Sequence, residues 1–241
     1  MARMRDIVTL SWLLYLETAR EKVGYLWSCA VPVGFFALFS QRLPGGGAEW
    51  PYIARFLSYI LLSNACFAFA MTLVWRRETG FLRSFCLAKH AFARLLAASM
   101  LGSLVNSAVA VGVFLAIAHI LSPLRLTPFD MAALITASLA TGALFCCAVM
   151  VLFTVRLGFR SLQSTLNGLF FIAVALMYAS AQPGLHWLQY VNPLDWGAQW
   201  IALPFTAPDS RTALLCGELL AAGALGLVSL GRAGTMPTQM R

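Results

Sequence analysis

Charged residues are scarce in this chain. They make up 11% of its 241 residues, whereas hydrophobic residues make up 60%, and the mean hydropathy is +0.78. A soluble domain carries roughly a quarter charged residues. The shortage of charge therefore argues against a soluble domain and predicts an all-α integral membrane protein.

Histidines and carboxylates are few, with three His and nine Asp and Glu in total. The sequence contains no HExxH or GxSxG motif, and its histidines are scattered, so we expect neither a metal site nor a catalytic centre. The glycine run that starts at Gly45 is not followed by Gly-Lys-Ser/Thr. It therefore cannot act as a nucleotide-binding loop.

The six cysteines mostly lie inside apolar runs. They lack the spacing of metal ligands, and the adjacent pair Cys146-Cys147 is not a CxxC motif. We interpret them as small membrane-core residues that form no disulfides.

Six apolar runs are long enough to cross a bilayer. The predicted spans are residues 23–40, 52–75, 95–121, 131–155, 162–181 and 212–230. Residues 1–22 hold an apolar run of only about ten residues between basic residues, which is half of what a span needs. They predict a helix that lies in the membrane interface.

Lysine and arginine are unevenly divided between the two sides of these spans. Of the 17, thirteen lie on the side of the N-terminus, and four, Arg42, Arg55, Arg125 and Arg211, lie on the other. The positive-inside rule therefore predicts that both termini are cytoplasmic. Because these cations are dispersed between apolar runs, the net charge of +8 does not indicate nucleic-acid binding.

Residues 76–94 form a charged, amphipathic interruption between two spans. Read as a helix, Phe81, Phe85, Ala88 and Phe92 share one face, and Gly80 allows a bend just before them. Two interpretations are open: a basic loop that only sets topology, and a docking surface for a soluble partner. The candidate docking residues are Arg76, Arg77, Glu78, Gly80, Phe81, Arg83 and Phe85.

Residues 182–209, on the other side, are too long and too apolar for a simple loop. The dipeptide Asn192-Pro193 predicts the start of a helix that ends at about Leu203, because it offers an N-cap side chain and then proline. The segment either dips into the outer leaflet as a re-entrant helical hairpin or forms an aromatic belt at the headgroups, and the two are compatible. Its candidate residues are Trp187, Asn192, Pro193, Leu194, Trp196 and Trp200.

Glu218 is the only carboxylate well inside a predicted span. An ionisable group at such a place is a candidate for function. The alternative is that it reaches water or pairs with Arg211.

The chain resembles the membrane subunit of ABC exporters of the ABC-2 type, the bacterial drug, lipo-oligosaccharide and polysaccharide permeases. The stretch 77–82, RETGFL, is similar to the E-x-G-T-L stretch of that family, and 192–194, NPL, is similar to its N-P-L before the last span. Phe81 stands where threonine is usual, and the later proline of the stretch is missing, with Lys89-His90 near its place. The order of elements is also similar to that of the family: an N-terminal interfacial helix, then six spans, with both termini inside. The resemblance therefore covers nearly the whole chain.

The resemblance implies a bacterial cytoplasmic-membrane protein of which two copies pair. Two cytoplasmic ATPase subunits, which carry ATP and Mg²⁺, would dock on residues 76–94, so the chain itself is a transport subunit without a cofactor and not an enzyme. A path for an amphipathic or lipid-linked cargo would lie at the dimer interface, with residues 182–209 as its outer gate. The candidate path residues, chosen by span membership, are Phe35, Phe67, Phe170, Phe171 and Glu218.

Two alternatives remain in view. A haem-exporter B-like subunit of cytochrome c maturation shares the six-span plan, although the motif at 192–194 favours the ABC-2 exporters. A carrier outside the ABC class should show buried charges in several spans and repeat symmetry, and the sequence offers one glutamate and no clear repeat. A membrane scaffold would tolerate charge reversal at Glu78.

Overall fold

The computed structural model describes residues 2–20, 30–37, 49–82, 91–121, 126–155, 158–180, 182, 184–207 and 209–230. Within these residues the chain is almost entirely helical and contains no strand, which confirms the expected all-α class. Arg83, Phe85 and most of the predicted first span lie outside the described residues.

The helices are labelled in chain order. They are α1 (Ala2–Arg20), α2 (residues 30–37), α3 (Glu49–Ser63, then a π-helical stretch Asn64–Ala70, then Met71–Glu78), α4 (Ala91–Leu121), α5 (Pro128–Val149, continued as a 3-10 helix Met150–Thr154), α6 (Phe159–Ala179), α7 (Pro193–Ala202) and α8 (Ser210–Leu230). A 3-10 helix, His186–Tyr190, precedes α7.

Five of these helices are long and apolar enough to cross a membrane. They are Trp50–Glu78, Ala91–Leu121, Pro128–Thr154, Phe159–Ala179 and Ser210–Ser229. The protein is therefore a multi-pass membrane protein. A sixth span stays a prediction, because only residues 30–37 of the run at 23–40 are described.

Two helix ends differ from the predicted boundaries in the same direction. The helix of α3 continues to Glu78 rather than ending at 75, and α4 begins at Ala91 rather than at 95. The predicted boundary at 75 followed the loss of hydrophobicity. Arg76 and Arg77 nevertheless remain helical, because both side chains are buried against partners inside the protein.

The start of α5 shows how local chemistry places a helix end. The Thr127 hydroxyl accepts a hydrogen bond from the Asp130 amide at 3.2 Å, and the Asp130 carboxylate accepts one from the Thr127 amide at 2.9 Å. Pro128 follows the cap at the first helical position. This capping box begins the helix before the predicted start at 131, which had been placed where the apolar run begins.

Helix α1 packs on α4 at a glycine. A Cβ on Gly102 would lie 3.1 Å from the carbonyl oxygen of Ser11, so only a residue without a side chain allows this approach without adjustment. Another part of the α1 surface leaves Val8, Trp12 and Leu13 more than half exposed. The apolar exposure fits the predicted interfacial position, which stays a prediction.

A buried amide pair joins α3 to α4 at the π-helical stretch. The Asn106 Nδ2 group donates to Asn64 Oδ1 at 3.2 Å, and Asn64 Nδ2 donates to the Ser107 hydroxyl at 3.2 Å. All three side chains are buried. Such amide contacts are the interhelical hydrogen bonds that join helices within a membrane.

Candidate functional site

Arg77 fastens the C-terminal end of α3 to the end of α5. Its Nη1 atom donates to the carbonyl oxygens of Phe153 and Val155, at 2.7 and 3.3 Å, and its Nη2 atom lies 3.1 Å from Glu78 Oε1. The guanidinium also lies over the Phe153 ring, 5.3 Å from the centroid. With a side chain only 4% exposed, Arg77 uses its planar fork for internal contacts.

Arg76 connects the same end of α3 to α1. Its Nη2 atom donates to Glu17 Oε2 at 2.6 Å, and its guanidinium lies 5.7 Å from the centroid of the Phe81 ring. The Arg76 side chain is 7% exposed, whereas that of Glu17 is 51% exposed. We call the two arginines with Glu17, Glu78 and Phe153 the Arg77 clamp.

Gly80 turns the chain directly after the clamp. Its φ is +75°, a conformation that L side chains rarely adopt, and its amide donates to the Arg77 carbonyl at 3.1 Å. The bend expected from the sequence is therefore present. Beyond it, Phe81 is 43% exposed and Leu82 is fully buried.

The structure sorts the predicted docking residues into three groups. Arg76 and Arg77 are buried in the clamp, and Glu78 is half-buried beside them. Among the predicted docking residues that the structure describes, Phe81 has a well-exposed side chain. Arg83 and Phe85 lie outside the described residues, and the predicted contact with an ATPase stays a prediction.

The N-terminal end of α3 carries a second cluster of charged and polar groups, built on the start of α7. The Asn192 side chain caps α7 by accepting from the Leu194 amide at 3.2 Å. Its Nδ2 group donates to Asp195 Oδ2 at 2.9 Å and to the Ala173 carbonyl in α6 at 3.2 Å. The expected N-cap thus also connects α7 to α6.

Asp195 pairs with Arg55 across this interface. Its Oδ1 atom lies 3.4 Å from Arg55 Nε, and its Oδ2 atom accepts from Asn192 and from the Ser180 hydroxyl, the latter at 3.3 Å. We call these four residues the Arg55 cluster. Burial raises the pKa of the Asp195 carboxyl above its ordinary value of 3.8, and the charge of Arg55 opposes part of that rise.

Helix α7 is a packed element of the core. A Cβ on Gly197 would lie 2.6 Å from Phe145 Cζ and would collide with the Ser58 hydroxyl, so the glycine allows α7 to approach α3 and α5. Trp196 and Trp200 are half-buried, and their indole groups donate to the carbonyls of Tyr190 and Cys216 at 3.0 and 3.2 Å. Trp187 is 58% exposed.

Two of the predicted path residues meet in the structure. The rings of Phe67 and Phe170 have centroids 5.8 Å apart, and Tyr59 meets Phe170 edge to face at 5.1 Å. Phe171 is 74% exposed and Phe35 is 46% exposed. The structure therefore groups Phe67 with Phe170 between α3 and α6 and shows no ring contact of either with Phe171 or Phe35 among the described residues.

Glu218 is half-buried in α8. Its Oε2 atom is buried without a hydrogen-bond partner among the described residues, and in that part of the chain it forms no ion pair with Arg211. The same part of the chain contains no group of three or more His, Cys, Asp or Glu placed to hold a metal ion.

The pairing of Arg55 with Asp195 was missed from the sequence. Arg55 entered the expectations only as one of the four cations on the side opposite the N-terminus. One signal was present: each is an isolated charge in an apolar stretch, and such charges seek a partner of opposite sign.

No protein-family model matches the chain. Over 195 residues it is 24% identical to Protein McbE of Escherichia coli, and the match covers 76% of this chain and 78% of that protein. The name of that protein states no activity. The comparison therefore establishes a distant similarity along most of both chains and nothing about a reaction or a cargo.

Proposed function

We propose that the chain is the transmembrane subunit of an ATP-driven exporter of the ABC-2 type. Two copies pair in the bacterial cytoplasmic membrane with both termini inside, and two cytoplasmic ATPase subunits dock below them. They hydrolyse ATP with Mg²⁺, and the chain moves an amphipathic or lipid-linked substrate outwards.

The observation that carries this proposal is the Arg77 clamp next to the turn at Gly80. A coupling segment must pass motion from a soluble subunit to the spans, and a segment joined to one helix alone would bend. Arg77 joins the end of α3 to the end of α5, and Arg76 joins it to α1. A push on the residues after Gly80 is therefore expected to move three helices together.

The packing of α7 supports a gate on the other side. Asn192 and Asp195 connect α7 to α6 and α3, so a displacement of either span is expected to move α7. The aromatic contact of Phe67 with Phe170 lies between the same two spans and suits an apolar cargo. Motion at one end of α3 would in this way reach the gate at its other end.

The test is co-purification of the protein with the ATPase encoded next to it, followed by an assay of ATP hydrolysis. Phe81→Asp changes a side chain that is 43% exposed just after the turn. We expect this variant to lose the ATPase while the membrane subunit itself stays folded. Phe129→Asp, at a side chain that is 80% exposed at the start of α5, is the matched control and should retain the ATPase.

Glu78→Arg tests the charge but also opposes Arg77, so its unfolding midpoint must be measured in parallel. An ATPase that remains bound to Phe81→Asp, or wild-type protein that brings down no ATPase, would make residues 76–94 a topology loop. A carrier or scaffold would then be the better interpretation.

A further inference from the structure

Arg55 is a cation inside a membrane span, and its guanidinium is only partly used. It lies five residues after Trp50, about 8 Å along the helix axis at 1.5 Å per residue. Its Nε atom faces Asp195, whereas its Nη1 and Nη2 atoms make no hydrogen bond or ion pair with a described residue. The side chain as a whole is 29% exposed.

A second unused donor lies one helical turn away. The Tyr52 hydroxyl is buried and has no hydrogen-bond partner among the described residues. Tyr52 precedes Arg55 by three residues, so the two side chains are neighbours on the surface of α3. The Tyr52 ring packs against those of Phe36 and Phe56, with centroids 6.0 and 5.0 Å away. A buried hydroxyl without a partner is costly, which favours a ligand that accepts a hydrogen bond there.

An aromatic track continues from Arg55 along the same face of α3. Tyr59 follows Arg55 after four residues and Phe67 follows after twelve, and both contact Phe170. From Arg55 to Phe67 the track is about 18 Å long at 1.5 Å per residue. Helix α6, which forms its other side, has the smallest buried share of the five candidate spans.

Asp195 is held in place without Arg55. Its Oδ2 atom accepts from Asn192 and Ser180, and only Oδ1 faces the arginine. A ligand anion can therefore take over the guanidinium while Asp195 and the start of α7 keep their other contacts. Because a single guanidinium neutralises one carboxylate, Asp195 and an incoming anion compete for it.

We propose that Arg55 binds the acidic headgroup of an amphipathic molecule whose apolar part lies along Tyr59 and Phe67. Tyr52 donates the second hydrogen bond, and Asp195 is the resident counter-ion that the headgroup displaces. The proposal rests on the proposed export function and names its substrate class: amphiphiles that carry a carboxylate or a phosphate. The geometry of guanidinium suits both groups.

The experiment measures binding alone and needs no ATPase, so its result is independent of whether an ATPase docks on residues 76–94. The purified protein is placed in phosphatidylcholine nanodiscs and titrated with 2-bromododecanoic acid, at a pH where the acid is ionised. Bromine quenches tryptophan fluorescence, and the methyl ester of the same acid is the neutral probe. We expect the acid to bind about tenfold more tightly than the ester, because only the acid can form a charge-assisted hydrogen bond with Arg55.

Three variants test the three roles. Arg55→Gln should reduce the preference for the acid to within about twofold, and Tyr52→Phe should weaken acid binding several-fold without changing ester binding. Asp195→Asn should tighten acid binding, because the competing charge is gone. Arg211→Gln, an exposed arginine at the start of α8, is the control and should keep the preference.

Equal binding of acid and ester by the wild type, or an acid preference that survives in Arg55→Gln, would overturn the proposal. If Arg55→Gln does not fold, an unchanged acid affinity in both Asp195→Asn and Tyr52→Phe overturns it. Repeating the titration with phosphatidylglycerol in the nanodisc identifies the source of the headgroup. If phosphatidylglycerol competes with the acid, the ligand of the site is a bilayer lipid. If it does not compete, the ligand is a free amphiphile.

Discussion

The two ends of α3 both carry arginine, and they use it in opposite ways. At the C-terminal end, Arg77 is 4% exposed and has carbonyl, carboxylate and aromatic partners. At the N-terminal end, Arg55 is 29% exposed and uses one of its three nitrogens, on Asp195. A guanidinium whose hydrogen-bond donors have partners inside the protein holds helices together, whereas one with unused donors is available to a ligand.

The difference in burial predicts a difference in response to substitution. Removing a charge whose partners are buried leaves those partners without hydrogen bonds, and this destabilises the fold. Removing a charge that is partly open to solvent or ligand changes binding more than stability. The Arg77 clamp should therefore be a structural element, and the Arg55 cluster should be a functional one.

The largest effect is expected for Arg77→Ala. The change removes the donor to the carbonyls of Phe153 and Val155 and breaks the ion pair between Arg77 and Glu78. Breaking a buried pair in this way costs about 3–5 kcal/mol of unfolding free energy. The measurement is reversible unfolding in mixed micelles, followed by circular dichroism.

Arg94→Ala is the matched control, since Arg94 lies in the first turns of α4 and forms no ion pair with a described residue. Its cost should be within about 0.5 kcal/mol. If Arg77→Ala costs no more than Arg94→Ala, the clamp does not hold the helices together, and the contrast between the two ends of α3 disappears.

A smaller effect is expected from the titration of Asp195. Burial raises the pKa of its carboxyl in the folded protein above the ordinary value of 3.8, so the folded state holds this proton more tightly than the unfolded state does. The resulting stabilisation is fully present below pH 3.8 and is lost as the pH rises through the folded-state pKa. The charge of Arg55 opposes the shift, which keeps the effect below that of Arg77→Ala.

Asp195→Asn should lack this pH dependence. The quantity to follow is the difference in unfolding midpoint between wild type and Asp195→Asn, from below pH 3.8 to neutral pH. Arg55→Gln should widen the pH window, because it removes the charge that lowers the pKa of Asp195. If the unfolding midpoints of wild type and Asp195→Asn change with pH in the same way, the Asp195 carboxyl does not have the raised pKa that its burial in the Arg55 cluster predicts.

The Arg55 cluster and the Arg77 clamp also mark the limits of prediction from sequence. The helix after Asn192 was expected to end at about Leu203, and it runs to Ala202. This helix could be predicted because the signals at its start, the cap and the proline, are local. The pairing of Arg55 with Asp195 depends on how α3 and α7 pack, and no local pattern records that. Likewise, the charges of Arg76 and Arg77 led to the expectation that both side chains lie on a docking surface. Hydrophobicity alone cannot show that a cation has buried partners.

The smallest effect is expected for Glu17→Gln, which tests the exposed edge of the clamp. The Glu17 side chain is 51% exposed, so water and salt screen its ion pair with Arg76 even though the atoms are 2.6 Å apart. An exposed pair contributes about 0.2–1 kcal/mol, and less at high ionic strength. Unfolding of wild type and Glu17→Gln at low and at molar salt measures this: the two should differ slightly at low salt and converge at high salt. A loss as large as that of Arg77→Ala would mean that Arg76 depends on Glu17, and that α1 is an essential part of the clamp rather than an attachment to it.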